Sequence, residues 1–242
     1  MNLVVDAGNT FVKFGVFDSD KLINVFKYSY TVDLELELFN LKSNYNIQNC
    51  AISSVIQPDF LKLINSIFPY NLQINIQSKF PFDIQYQTPE TLGVDRIIGL
   101  SAAHFFAKGN PFLVLDLGTC ITYDYVNKTN TFIGGGISPG FQMRLKAMHN
   151  FTSKLPMLDY FNEKPNLVGN STKNCMHSGA WYGVLGEINY IIARYQENNP
   201  DLQVFLTGGD AFLFVDDIKS KIFARPNLLL EGLNRLIQLN AK

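Results

Sequence analysis

The chain has 242 residues, 47% of them hydrophobic and 17% charged, with a formal net charge of −1. This is enough apolar material for one large core or two modest ones, and the charge balance excludes the basic footprint of a nucleic-acid or anionic-membrane binder. Cys50, Cys120 and Cys175 are odd in number and far apart, which fits neither a disulfide framework nor a CxxC metal site. With no run of eighteen apolar residues and no basic signal-peptide region, a cytoplasmic protein without a membrane partner is expected.

The first stretch, LVVDAGNTFVKFGVFD, reads as an apolar strand over residues 3–5, a polar turn, and an alternating strand over 11–17. Asp6 stands at the strand end. Gly8 allows close approach, Asn9 tolerates positive φ, and Thr10 adds a hydroxyl, so the turn can present several donors to an anion. The carboxylate would hold a hydrated cation rather than touch a phosphate, because two anions repel. Residues 21–30 form a third strand, a short helix runs from a cap at Thr31 or Asp33 to about Leu41, and residues 50–55 form a buried strand ending in Ser53 and Ser54. Pro58 opens a helix with Phe60, Leu61, Ile64 and Ile67 or Phe68 on one face, and residues 72–76 form another strand. Three antiparallel strands followed by alternating helix and strand is the order of a ribonuclease-H-like half domain.

Residues 80–90, with Pro81 and Pro89 and no period, form a loop of binding length. Residues 92–108 form a helix with Ile97, Leu100, Ala103 or His104 and Ala107 on a stripe, stopped by Gly109, Asn110 and Pro111. At its start, Asp95 and Arg96 put a proton acceptor beside a bidentate anion clamp, although a first-turn carboxylate also simply favours the helix dipole.

The plan then repeats. VLDLGTCITYDY brings Asp116, Gly118 and Thr119 to the mouth of a second hairpin, with strands at 112–115, 121–126 and 131–137. Gly134, Gly135 and Gly136 are costly unless something fits against them. Residues 141–150 form a helix, 151–172 are irregular, and 175–198 form a long helix. Its Gly179, Gly183 and Gly186 imply that another backbone packs close there, since each costs about 1 kcal/mol relative to Ala. A strand at 204–206 enters the Thr207-Gly208-Gly209-Asp210 turn, and residues 227–239 close the chain as a helix. No Walker A motif is present, and His104, His149 and His177 show no metal-ligand spacing.

DAGNTxxxxGxFD, GVDR, DLGTxxTxD, GGGISPG and TGGDA, in this order and spacing, resemble type III pantothenate kinase over essentially the whole chain. The resemblance implies an α/β fold of the actin-like ATPase kind: two ribonuclease-H-like domains, residues 1–110 and 111–242, with mixed sheets flanked by helices and the active site in the interdomain cleft. It implies ATP-dependent phosphorylation of pantothenate, the first step of coenzyme A synthesis, by a cytoplasmic homodimer using Mg²⁺ and a monovalent cation, K⁺ or NH₄⁺. By motif, Asp6, Ala7, Gly8, Asn9, Thr10, Phe11, Val12 and Lys13 would cradle ATP, together with Thr119. Asp95 would be the catalytic base. Tyr86, Gly93, Val94, Asp95, Arg96 and Thr172 would bind pantothenate, and Asp116 would be the potassium ligand. Cys120 stands where the family usually has Ala, and Cys175 and His177 depart from its usual residues in the substrate wall. The competing expectations are a non-catalytic nucleotide-binding accessory protein and a small-molecule kinase for another substrate on the same fold.

Overall fold

The structure, a computed structural model, describes residues 1–8, 11–53, 58–159 and 162–240. The chain forms two compact units: Met1–Lys108 with Asn227–Lys242, and Gly109–Pro226.

In the first unit, β1 (Asn2–Ala7), β2 (Phe11–Asp18) and β3 (Lys21–Ser29) form an antiparallel meander. β4 (Asn49–Ser53) and β5 (Asn71–Ile74) extend it in parallel, giving the order β3-β2-β1-β4-β5. β1 is covered on both faces, so it reads as a continuous apolar run. Leu3 and Val5 pack with α1 (Leu34–Asn44) and α2 (Pro58–Ile67) through Leu38, Phe60 and Ile64, whereas Val4 packs with Ile98, Leu230 and Leu233. Asp33 caps α1, its carboxylate accepting from the Leu36 N–H at 3.1 Å, which settles the choice between Thr31 and Asp33. The expected strand over 50–55 is observed up to Ser53, and residues 54–57 lie outside the described residues.

The expected loop at 80–90 contains a two-residue strand, β6 (Asp83–Ile84), and is followed by a 3-10 turn, Pro89–Thr91. The helix after it, α3 (Val94–Ala107), starts at Val94 rather than Leu92 because Gly93 is its N-cap. It is buried well beyond a single stripe, since α7 (Leu228–Asn240) lies against it. A Cβ on Gly232 would stand 2.0 Å from the Ile98 carbonyl oxygen, so only glycine permits this approach. A division at residue 110 would leave α7 in the second half. It belongs to the first unit, because its Leu230, Leu233 and Leu236 complete the core over Val4 and Ala51.

The second unit repeats the topology. β7 (Phe112–Leu117), β8 (Cys120–Val126) and β9 (Thr131–Pro139) are antiparallel, and β10 (Gln203–Thr207) and β11 (Phe223–Ala224) add in parallel beyond β7. Among the strands of this unit, the order β9-β8-β7-β10-β11 mirrors β3-β2-β1-β4-β5. Its core joins Leu115, Leu117 and Tyr123 to α4 (Phe141–Asn150), α5 (Thr172–Asn198) and α6 (Ala211–Phe214), with Trp181 ring-to-ring against Phe141 and Phe214. The three glycines are explained by β8: a Cβ on Gly135 would lie 1.5 Å from the Tyr123 carbonyl oxygen, and Gly134 has φ of 114°. Along α5, by contrast, a Cβ on Gly179 or Gly186 would meet nothing within 4 Å, so among the described residues no other backbone packs there. Among the described residues, no helix is long and apolar enough to cross a membrane.

Candidate active site

In the first unit the site is built on the β1–β2 turn. β1 delivers Asp6 and Ala7, and β2 begins with Phe11, Val12 and Lys13. Asp6 is registered opposite Lys13 across the antiparallel pair. The Gly8 N–H donates to the Phe11 carbonyl at 3.0 Å, closing the turn. Asn9 and Thr10 lie outside the described residues. Val12 is buried in the core, and the exposed Phe11 ring carries the Lys27 ammonium at 4.1 Å.

The Asp6 carboxyl is pushed above the usual carboxylate range by burial. Lys13 opposes this, and the negative charge of Asp95 adds to it. Two acidic groups from distant parts of the chain, a strand end and the first turn of α3, therefore act on one another. A region with two carboxylates and one nearby lysine is short of positive charge, which suits a hydrated cation. Among the described residues no group of three His, Cys, Asp or Glu side chains could hold a metal. A cation here would take one or two carboxylates plus oxygens of its own substrate, the habit of Mg²⁺ with nucleotides.

Sequence reasoning missed Tyr30. Its hydroxyl donates to the Gly8 carbonyl at 2.8 Å, and its ring packs edge-on against Phe60. Burial raises the phenol, and the charge of Asp6 raises it further. The available signal was the alternation of Phe26, Tyr28 and Tyr30, which puts all three against the same apolar cluster.

The start of α3 supplies the second group of residues. Gly93 has φ −59° and ψ 123°, and its carbonyl accepts from the Arg96 N–H at 3.2 Å. Val94 is buried, Asp95 exposed and Arg96 half-buried. The Asp95 carboxylate folds back over the cap: a Cβ on Gly93 would stand 2.5 Å from Asp95 Oδ1. Tyr86 lies near Arg96, the guanidinium 5.9 Å from its ring centre. Thus Gly93, Asp95, Arg96 and Tyr86 come together, and Asp95 also reaches Asp6 electrostatically.

In the second unit Asp116 is the penultimate residue of β7, opposite Thr122 on β8 and Thr207 on β10. The Gly118 N–H donates to the Cys120 carbonyl at 3.0 Å, leaving Thr119 exposed at the tip. Two glycine-bearing segments press on this turn. Gly140 donates its N–H to the Thr119 carbonyl at 3.1 Å, and its Cβ would fall 2.3 Å from the Gly118 oxygen. Gly208, at φ +100°, lies where a Cβ would be 2.4 Å from Leu117 backbone atoms, and the Asp210 N–H donates to the Leu117 carbonyl at 2.8 Å. The Asp116–Thr119 turn and the Gly208–Asp210 turn therefore form one backbone-lined surface.

Thr172 is exposed at the first position of α5, after the N-cap Ser171, whose hydroxyl accepts from the Asn174 N–H at 3.2 Å. Next to it, Cys175 is exposed with its thiol 3.4 Å from the Gly169 carbonyl. His177 is buried, and that burial lowers its pKa, with Lys173 adding to the effect.

The sequence matches the family model of type III pantothenate kinase over residues 2–194. A type III pantothenate kinase of Phocaeicola vulgatus is 39% identical over 250 residues, covering 100% of both chains. Among solved structures, a conserved Baf-family protein from Campylobacter jejuni superposes with TM-score 0.63 at 21% identity, covering 98% of this chain and 97% of that one. A ROK family glucokinase from Streptomyces griseus does so at 0.55 and 10%, covering 99% and 98%. The two structures establish the actin-like fold of paired mixed sheets. The length of the family match and the full-length relative establish more: the chain belongs to the type III pantothenate kinase family.

Proposed function

We propose that this protein transfers the γ-phosphoryl group of ATP to the hydroxyl of pantothenate, giving 4'-phosphopantothenate for coenzyme A synthesis. The observation that carries the reading is the start of α3. There, an exposed carboxylate held over a glycine cap adjoins an arginine that can clamp the substrate's own carboxylate.

Phosphoryl transfer asks a protein chiefly to position groups and neutralise charge. The β1–β2 turn, with Asp6, Ala7, Gly8, Asn9, Thr10, Phe11, Val12 and Lys13, receives the phosphates of ATP. Thr119 at the tip of the second hairpin also binds them. Tyr86, Gly93, Val94, Arg96 and Thr172 hold pantothenate, Arg96 facing its carboxylate. Asp95 accepts the hydroxyl proton as the new P–O bond forms, a contribution of about 10²–10⁴-fold in rate. Mg²⁺ carried by ATP would lie by Asp6, and K⁺ or NH₄⁺ by Asp116. When bound, these cations offset phosphate charge.

We assign the working enzyme as a homodimer. The open glycine face of α5, where a Cβ on Gly179 or Gly186 would meet nothing among the described residues, supports that assignment. Three free cysteines, one of them with its thiol pushed up to about 12 by burial at Cys50, suit a reducing cytoplasm. No observation favours a non-catalytic accessory role or another acceptor.

The test is phosphorus NMR of protein mixed with MgATP and pantothenate. A phosphomonoester of pantothenate should accumulate with the wild type and fail to do so with Asp95→Asn, while that variant still binds ATP. Unchanged product formation by Asp95→Asn would remove Asp95 from the base role.

A further inference from the structure

The second unit contains a charged cluster that takes no part in the mechanism above. Glu187, midway along α5, receives two donors. Ser138 Oγ reaches Oε1 at 2.5 Å, and a terminal nitrogen of Arg144, on α4, reaches Oε2. Arg144 spends its Nε on the Pro139 carbonyl at 2.9 Å. The Tyr123 hydroxyl lies 3.3 Å from Ser138 Oγ. Both charged side chains are about three-quarters buried, with 22% and 24% of their surface exposed.

Partly buried ion pairs are poor sources of net stability, because desolvation offsets most of the attraction. What the arrangement supplies is geometry. The planar guanidinium fork ties one carboxylate and one backbone carbonyl at fixed angles, which a point charge cannot do. Gly183 leaves room for it: a Cβ there would already be 3.3 Å from an Arg144 terminal nitrogen.

The tethered residues lead straight to the second hairpin turn. Ser138 and Pro139 end β9, paired with Ile121 and Cys120. The next residue, Gly140, donates to the Thr119 carbonyl and lies so close to Gly118 that no side chain fits between them. A continuous path of bonds therefore runs from Glu187 and Arg144 through Ser138–Gly140 to Gly118 and Thr119. We propose that Arg144 and Glu187 are positioning residues that hold the Gly118–Thr119 turn in its phosphate-binding form. This rests on the reading above that this turn binds the phosphates of ATP.

The test is steady-state kinetics of Glu187→Gln, Arg144→Lys and the double variant Arg144→Met, Glu187→Met, each with a thermal melt, and Thr119→Ala in parallel. Glu187→Gln is expected to raise the KM for MgATP by about tenfold, with the KM for pantothenate within about twofold. Arg144→Lys should show a rise too, since lysine keeps the charge but cannot also reach the Pro139 carbonyl. The double variant removes both charges together, so it should keep its melting temperature and still show the ATP effect. Unchanged ATP kinetics in Glu187→Gln, or equal changes in both KM values with a fall in melting temperature, would overturn the proposal. If Thr119→Ala weakens ATP while Glu187→Gln does not, only the positioning role is lost. If Thr119→Ala leaves ATP kinetics untouched, the phosphate role of the turn fails and this proposal falls with it.

Discussion

Replacing Gly93 by alanine separates the position of Asp95, the carboxylate proposed as the base, from the stability of the fold. The backbone at Gly93, φ −59° and ψ 123°, is open to any L-residue, so the methyl group brings no strain of its own. It would, however, stand 2.5 Å from Asp95 Oδ1, where ordinary contact begins near 3.4 Å. The carboxylate has to retreat by roughly 1 Å, which it can do by turning about its own side-chain bonds. An alanine cap in place of glycine costs at most about 1 kcal/mol, or about 2–4 °C of melting temperature for a chain of this size. Displacing a reacting group by 1 Å, in contrast, costs on the order of 10²-fold in rate. Gly93→Ala should therefore melt within a few degrees of wild type, bind ATP normally and lose about a hundredfold in kcat in an ADP-release assay with pantothenate. A variant that folds and turns over within twofold of wild type would refute the placement of Asp95 as the proton acceptor.

Three further outcomes follow from named contacts. Asp6 has a raised folded pKa, so its ionised form opposes folding: its contribution to stability is full below the unfolded carboxylate value and is lost as pH rises through the folded one. Asp6→Asn should thus melt higher than wild type at pH 7, a margin that closes on acidification, while turnover collapses; a lower melting temperature at pH 7 would contradict the cost of burying the charged carboxylate. Tyr30→Phe removes the bond to the Gly8 carbonyl, worth about 0.5–1.5 kcal/mol, and should raise the KM for ATP about 2–10-fold with pantothenate unaffected, as initial-rate kinetics would show. Asn234→Ala strips partners from the Asn2 amide and the Ser19 carbonyl. It should cost about 1–3 kcal/mol in urea unfolding, and a smaller loss would mean that α7 is held by its leucines alone.

The repeated strand–Asp–x–Gly lead-in made the paired meanders and both acidic turns legible before any coordinates, because a period of two and a turn glycine are local properties. A helix boundary was legible at Pro58, whereas Thr31 and Asp33 competed for the first cap until the Asp33 carboxylate was seen to accept from the Leu36 N–H. The place of α7 was not, since its Leu230 and Leu233 carry the apolar pattern of any amphipathic helix, and only contact with Val4 and Ile98 decides which unit it completes. The strand β11, two residues long, carries no period at all. Of the site, Asp6, Asp95 and Asp116 stand out in sequence. The interaction of Asp6 with Asp95 joins positions nearly ninety residues apart and appears only once β1 and α3 are folded into one unit. Tyr30 was hidden because an aromatic at the end of an alternating strand looks like core, and only the folded chain brings its hydroxyl to the Gly8 carbonyl.

The acceptor is best identified by a coupled ADP-release assay with MgATP, run with and without pantothenate and in potassium and then sodium buffer. ADP release should depend on pantothenate and be faster in potassium. ADP release indifferent to pantothenate would contradict the assignment of the substrate, and equal rates in the two buffers would contradict the cation role given to Asp116.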